Sequence, residues 1–337
     1  MNNNRYLSKH IRSFFEDYLV CRRKMSDCTI RSYRDAVKLF VQFVASQRRK
    51  SAANLLITDV NDSIMNDFLI YLEKNRGNSI QTRNHRLAIL RSLFSYISLQ
   101  EPLFLEYCRQ VLNFPIKRRT ELPEIHYLEK EEMNLLFKAI DTRTALGRRD
   151  YAILRFMYNT GARVSETADT RISRLYFEAP AKVEIFGKGS KWRTCPLWKT
   201  TAEILRNLID EQIKAREPDA HIFLNRLGNP LSRFGIYGII AKYKEKASSS
   251  RPSLSRKIVT PHTIRHTTAM HLLQSGVDIN VIRSWLGHVN LETTHRYVEI
   301  DLAMKAKALK VCEPENETVP FAEWRSNPDI LSWLEAL

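Results

Sequence analysis

Thr260 to Leu273 reads TPHTIRHTTAMHLL, with three histidines and an arginine on what the pattern marks as one helix. Metal ligation, phosphate binding and plain surface polarity are all open to such a set. His262 and His266 stand four apart, so both could face one metal ion. Yet the glutamate of H-E-x-x-H is missing and Arg265 stands between them, where a fixed cation would repel a dication. No metal is expected here. His262 and Arg265, three apart, share a face, and a guanidinium fork beside an imidazole suits a phosphate. His266 reads as a core histidine holding the next segment; His271 either packs or faces solvent. A second stretch, FGKGSK, suggests nucleotide binding at first sight, but the G-x-x-x-x-G-K-[ST] spacing of a P-loop is absent. Lys188 falls instead at a hairpin tip, where an ammonium either reaches into a groove or is simply solvated.

The whole chain tilts the choice toward phosphate. Its 337 residues carry 53 Lys+Arg against 37 Asp+Glu, a formal charge of +16. Such a surface is drawn to polyanions, nucleic acid being the commonest. The length allows two domains with cores of their own. Five cysteines, at 21, 28, 108, 195 and 312, show no C-x-x-C spacing, so neither a zinc knuckle nor a disulfide framework is indicated. The N-terminal stretch lacks the apolar segment of a signal peptide, and no apolar run is long enough to cross a bilayer. A reducing cytoplasm is the expected location.

The elements that must position these residues follow from periodicity. LSKHIRSFFEDYLV, TIRSYRDAVKLFVQFVAS, VNDSIMNDFLIYLEKN and SIQTRNHRLAILRSLFSYISL each repeat apolar residues at helical spacing, giving four helices up to about residue 100 and a short fifth near 103–112. Residues 119–127 read as a linker after the basic run Lys117, Arg118, Arg119, which suits either a phosphate backbone or a solvated connector. Beyond it, LEKEEMNLLFKAID and RRDYAILRFMYNTG are helices, the second ending at Gly161 as a C-cap. AKVEIFGKGSKWRTCPLW reads as two strands around a tight turn. Helices are expected at about 199–215 and 233–246, a mobile loop over KASSSRPSLSRK, then the histidine-bearing helix, capped by Thr260 with Pro261 in its first turn. VDINVIRSWLGH and LETTHRYVEIDL are expected as further short helices. Residues 311–337 hold six acids against Arg325 alone, with Phe321, Trp324 and Trp333 among them. A short helix over about 328–336, packed on its own or a neighbouring protomer, competes with a solvated tail.

TGARVSE, GKGSKWR, HTIRH, WLGH and TTHRYVEID occur in this order, and together they resemble the tyrosine recombinase (phage integrase) family, near its Xer-like branch. The resemblance implies a mainly α fold with a small antiparallel β hairpin or sheet. A helical, SAM-like core-binding domain would cover 1–118 and a mixed α/β catalytic domain 128–310. Carried over by motif, Arg163, Lys188, His262, Arg265 and His288 surround a nucleophile, Tyr297, and Glu166 orients the arginines. No cofactor or metal is implied. The implied partners are a double-stranded DNA recombination site, further copies of the chain (a dimer on each site, a tetramer in synapsis), and accessory or partner recombinases. Arg83, Arg86 and Arg91 are the expected DNA contacts of the helical domain. The family usually places apolar L-x-x-L after Glu166; here Thr167 and Thr170 stand there, so unusual packing is expected. A mobile-element integrase or transposase is favoured over a dimer resolvase. A type IB topoisomerase and a non-catalytic DNA-binding relative are the readings from other classes.

Overall fold

A computed structural model describes residues 5–118, 126–187, 189, 191–212, 217, 219–249, 251–287 and 334. The chain forms two compact units, 1–123 and 124–337. Lys188, Arg119, His288, Tyr297 and all of the expected tail helix except Leu334 lie outside the described residues.

Every named element among the described residues of the first unit is a helix. α1 (Leu7–Ser13) continues as a wider π-helical stretch over Phe14–Arg22; α2 (Asp27–Arg48), α3 (Asp62–Lys74), α4 (Ile80–Gln100) and α5 (Leu105–Leu112) follow. Short polar residues start the long helices: the side chains of Ser26, Asn61 and Ser79 accept the amides of Thr29, Ile64 and Thr82. The apolar stripes read from the sequence close on one core, with Phe14, Phe40, Phe68 and Phe94 fully buried. Phe40 packs edge-on against both Phe68 and Phe94.

The second unit carries the candidate site. It contains α6 (Lys130–Lys138), α7 (Ala145–Thr160), α8 (Val164–Ala168), strands β1 (Leu175–Tyr176), β2 (Lys182–Gly187) and β3 (Lys191–Pro196), then α9 (Lys199–Gln212), α10 (Arg233–Ser248), α11 (Pro252–Arg256), α12 (Pro261–Gln274) and α13 (Ile279–Leu286). The sheet is antiparallel in the order β1–β2–β3, with Gly187 opposite Lys191 at the hairpin end. Residues alternate across it. Val183, Ile185 and Cys195 are buried, while Lys182, Phe186 and Trp192 face outward.

Three features depart from the sequence reading. The serine-rich stretch is not a loop throughout: Pro252 opens α11, and Leu254 is fully buried. One leucine among serines gives no visible period, yet burying it fixes the turn. β1 is too short to show alternation and exists by pairing with β2. α8, five residues long, had no periodic signal either; its first turn is closed by Glu166, whose carboxylate accepts the Arg163 amide.

The polar pair after Glu166 is buried without loss of hydrogen bonds. The Thr167 hydroxyl donates to the Arg163 carbonyl at 3.1 Å and the Thr170 hydroxyl to the Glu166 carbonyl at 2.8 Å. Each bond reaches back four residues, a habit of threonine in helices, and leaves the methyl group to fill the apolar space.

Candidate functional site

Five elements converge on one place in the second unit. α7 ends at Gly161, whose φ of +59° is a left-handed C-cap. The tight reversal lets α8 begin two residues later, with Arg163 at its N-cap. Glu166 then holds Arg163 twice: its Oε2 accepts the Arg163 amide at 2.8 Å and its Oε1 accepts Arg163 Nη1 at 2.7 Å. The Arg163 side chain keeps 25% of its surface exposed, so a positioned guanidinium still faces outward.

Arg265 comes from α12, whose start is fixed as expected. The Thr260 hydroxyl accepts the Thr263 amide, Thr263 answers by accepting the Thr260 amide, and Pro261 follows the cap. Arg265 is only 3% exposed. Its Nη1 donates to the Gly161 carbonyl and its Nη2 to the Leu286 carbonyl, both at 2.6 Å. These carbonyls lie at the ends of α7 and α13, where helix dipoles favour a cation. Arg265 therefore ties together the two helix ends that frame the site.

His262 lies one turn before Arg265 and remains exposed. Partial burial, then the positive charges of Arg265 and Arg163, hold it below the ordinary 6.5. That dependence on both arginines puts all three groups in one electrostatic neighbourhood. His271, by contrast, is buried, with its Nδ1 2.7 Å from the Tyr158 hydroxyl, and packs α12 onto α7. His266 is partly buried on the same helix.

Arg193 was missed by the sequence reading. It projects inward from β3, donates from Nη2 to Glu166 Oε2 at 2.7 Å and from Nε to the Trp285 carbonyl at 3.0 Å. It stands in GKGSKWR, but only the hairpin register shows that it turns inward. Burial alone would raise the Glu166 pKa; the Arg193 hydrogen bond and charge, with the two bonds from Arg163, outweigh it and hold the carboxyl below its usual range. Trp285 is pinned in turn, its indole N–H donating to the Asn159 carbonyl at 3.1 Å.

The arginines expected to meet DNA from the first unit lie on α4. Arg83, 6% exposed, sits 3.4 Å from Glu73 and donates to the Pro115 carbonyl. Arg91 donates to the Phe114 carbonyl. Both hold the chain where it leaves α5. Arg86 is less buried, with Nη1 on Asn78 Oδ1 at 2.7 Å. Nearby, Lys117 bridges to Glu73 at 2.5 Å. Among the described residues no group of three or more metal-ligating side chains occurs, and no helix is long and apolar enough to cross a membrane.

Comparison with known proteins agrees with this arrangement. The model of the phage integrase family matches residues 126–303, and that of the phage integrase N-terminal SAM-like domain matches 13–101. A Sinorhizobium fredii protein named as an integrase/recombinase is 35% identical over 337 residues, covering 100% of both chains. Tyrosine recombinase XerC of Bacillus pumilus is 32% identical, covering 85% of this chain and 90% of its own. In fold, the chain is similar to a XerH site-specific recombinase in a post-cleavage complex with palindromic difH substrate (TM-score 0.66, 21% identity, 87% of this chain and 82% of that one). It is equally similar to the Tn1549 transposon integrase in complex with transposon right end DNA (TM-score 0.66, 17% identity, 88% and 96%). An N-terminal SAM-like unit followed by a phage integrase unit is what the two family models match along this chain, and the chain belongs to the phage integrase family of tyrosine recombinases.

Proposed function

We propose that this chain is a site-specific recombinase of the integrase type, which cuts and rejoins duplex DNA through a 3′-phosphotyrosine bond at Tyr297. The observation that carries the reading is the pair Arg163 and Arg265, each fixed by hydrogen bonds and both near His262. Phosphodiester attack gathers negative charge on the non-bridging oxygens, and donors held in place before the reaction stabilise that charge most. Arginine stays protonated throughout.

In this reading the Tyr297 oxygen attacks phosphorus as its proton leaves with help from His262. Arg163, Arg265 and His288 hold the non-bridging oxygens. Lys188 protonates the departing 5′-oxygen. The phosphorus–oxygen bond to that 5′-oxygen breaks as the tyrosyl bond forms, so the ester conserves the energy for rejoining without ATP or metal. The partners are a DNA recombination site and further copies of the chain, two on each site and four in synapsis, joined by accessory proteins or a partner recombinase. The acidic, tryptophan-bearing stretch 311–337 serves contacts between copies. In this reading Arg86 and Lys117 are the phosphate contacts of the helical unit, and Arg83 and Arg91 support the chain beside them.

The full-length likeness to the S. fredii protein spans this C-terminal stretch, whereas the XerC match covers less of the chain. That favours a mobile-element integrase over a dimer resolvase. The test is covalent trapping. Sequencing the DNA attached to the wild-type chain in cells maps the site, and a nicked duplex carrying it should then yield a detergent-stable adduct. Tyr297→Phe should bind the same duplex and yield none; an adduct with that variant overturns the reading, and relaxation of plasmids lacking the site would favour a topoisomerase.

A further inference from the structure

We infer that Arg193 is a positioning residue, whose single guanidinium sets Arg163 and the WLGH turn in register with each other and with the root of the β2–β3 hairpin. The inference rests on the strand-transfer reading above.

Three relationships carry it. First, Arg193 Nη2 takes the same Glu166 oxygen that accepts the Arg163 amide, leaving Oε1 to Arg163 Nη1. Glu166 is thus held from both sides, and the direction of Arg163 depends on where Arg193 lies. Second, Arg193 Nε donates to the Trp285 carbonyl, which also accepts the Cys195 thiol at 3.4 Å, so β3 grips the last turn of α13 at two points. Arg265 grips the next carbonyl, that of Leu286. Third, the guanidinium lies in a slot between two glycines. A Cβ on Gly187 would meet Arg193 Nη1 at 3.2 Å and Glu166 Oε1 at 3.4 Å; one on Gly287 would meet Arg193 Cδ at 3.0 Å and Nη1 at 3.3 Å. Gly187 directly precedes the hairpin lysine and Gly287 the WLGH histidine. Both motifs therefore carry a glycine where the Arg193 side chain passes.

Arg193 commits Nη2 to Glu166 and Nε to the Trp285 carbonyl, and through these two bonds it acts on the reaction by way of Arg163 and the turn. A group in this position governs the rate of attack at bound DNA far more than the binding itself. Breaking the link should misplace a charge-stabilising donor without emptying the site.

The experiment uses the full chain and the nicked duplex mapped from trapped DNA. It compares wild type with Arg193→Ala, Arg193→Lys and Gly187→Ala. DNA affinity is read by fluorescence anisotropy and adduct formation by single turnover at saturating DNA. Arg193→Ala should slow adduct formation on the order of 100-fold while affinity stays within about threefold. Gly187→Ala, which keeps every charge and shifts only the fork, should slow it about tenfold. On a duplex with a neutral methylphosphonate at the mapped phosphate, where less charge needs balancing, both deficits should shrink. An Arg193→Ala rate near that of wild type overturns the proposal, as does a deficit equal on both substrates, which marks a merely structural loss. Should Arg193→Ala fail to fold by thermal melting, Gly187→Ala and Arg193→Lys decide by the same criteria. Absence of any adduct with wild type instead overturns the strand-transfer reading.

Discussion

Arg265 Nη1 and the Gly161 carbonyl oxygen stand 2.6 Å apart although 104 residues separate them in the chain. The same guanidinium reaches the Leu286 carbonyl with Nη2. One planar fork thus serves two helix ends, which a lysine cannot do with its single nitrogen on a flexible stem. Arg265→Lys should leave one of the two buried carbonyls without its donor, costing about 1–3 kcal/mol of stability. Adduct formation on the mapped duplex should fall on the order of 100- to 1000-fold. A lysine variant with wild-type rate would remove Arg265 from the reacting centre.

Gly161 is constrained from two directions. Its φ is +59°, and a Cβ there would lie 2.3 Å from Leu286 Cδ2. Gly161→Ala therefore combines a left-handed backbone with overpacking against α13, and should destabilise the second unit by about 1–3 kcal/mol. For a unit of this size each 1 kcal/mol lowers the melting temperature by roughly 2–4 °C. A melting curve matching wild type would mean that α13 does not press on the α7 terminus as described.

Thr167 and Thr170 should respond differently to the same substitution. The Arg163 carbonyl accepts both the Thr167 hydroxyl and the Thr167 amide, so Thr167→Val leaves it satisfied. The Glu166 carbonyl takes the Thr170 hydroxyl, so Thr170→Val strands a buried acceptor next to the residue that orients Arg163. We expect under about 0.5 kcal/mol for Thr167→Val and about 1–3 kcal/mol for Thr170→Val in denaturant unfolding. Equal effects would show that the two hydroxyls are interchangeable.

Much of the scaffold was legible because its signals are local. Thr260 and Pro261 announce the start of α12, Gly161 the end of α7, and the apolar stripes of α1 to α4 their common core. What could not be read depends on register between distant segments. His262 and Arg265 share a helix face by spacing, yet one is exposed and the other buried against carbonyls from α7 and α13. Arg193 alternates with Trp192, and nothing local says which of the two turns inward. Arg83 and Arg91 look like surface cations in a basic helix; their carbonyl partners at Pro115 and Phe114 arrive only when the chain folds back past α5.

The pH dependence of cleavage should separate two groups. His262 sits below its ordinary value through partial burial and the positive Arg265 and Arg163. A base must be neutral to accept a proton, and here the neutral form persists to lower pH. The acid limb of the single-turnover rate should therefore have its midpoint below about 6.5. In His262→Asn that limb should vanish along with most of the rate. Stability follows a carboxylate instead. The folded Glu166 pKa lies below its unfolded value, so its contribution is complete above the unfolded pKa near 4.3 and is lost as pH falls through the lower folded one. Glu166→Gln should lower stability at neutral pH, because Arg193 and Arg163 lose their anion, and flatten the acid limb of the unfolding free energy below about pH 4.3. A wild-type rate profile with its acid midpoint above 6.5, or an unchanged acid limb in Glu166→Gln, would contradict the electrostatic arrangement of the site.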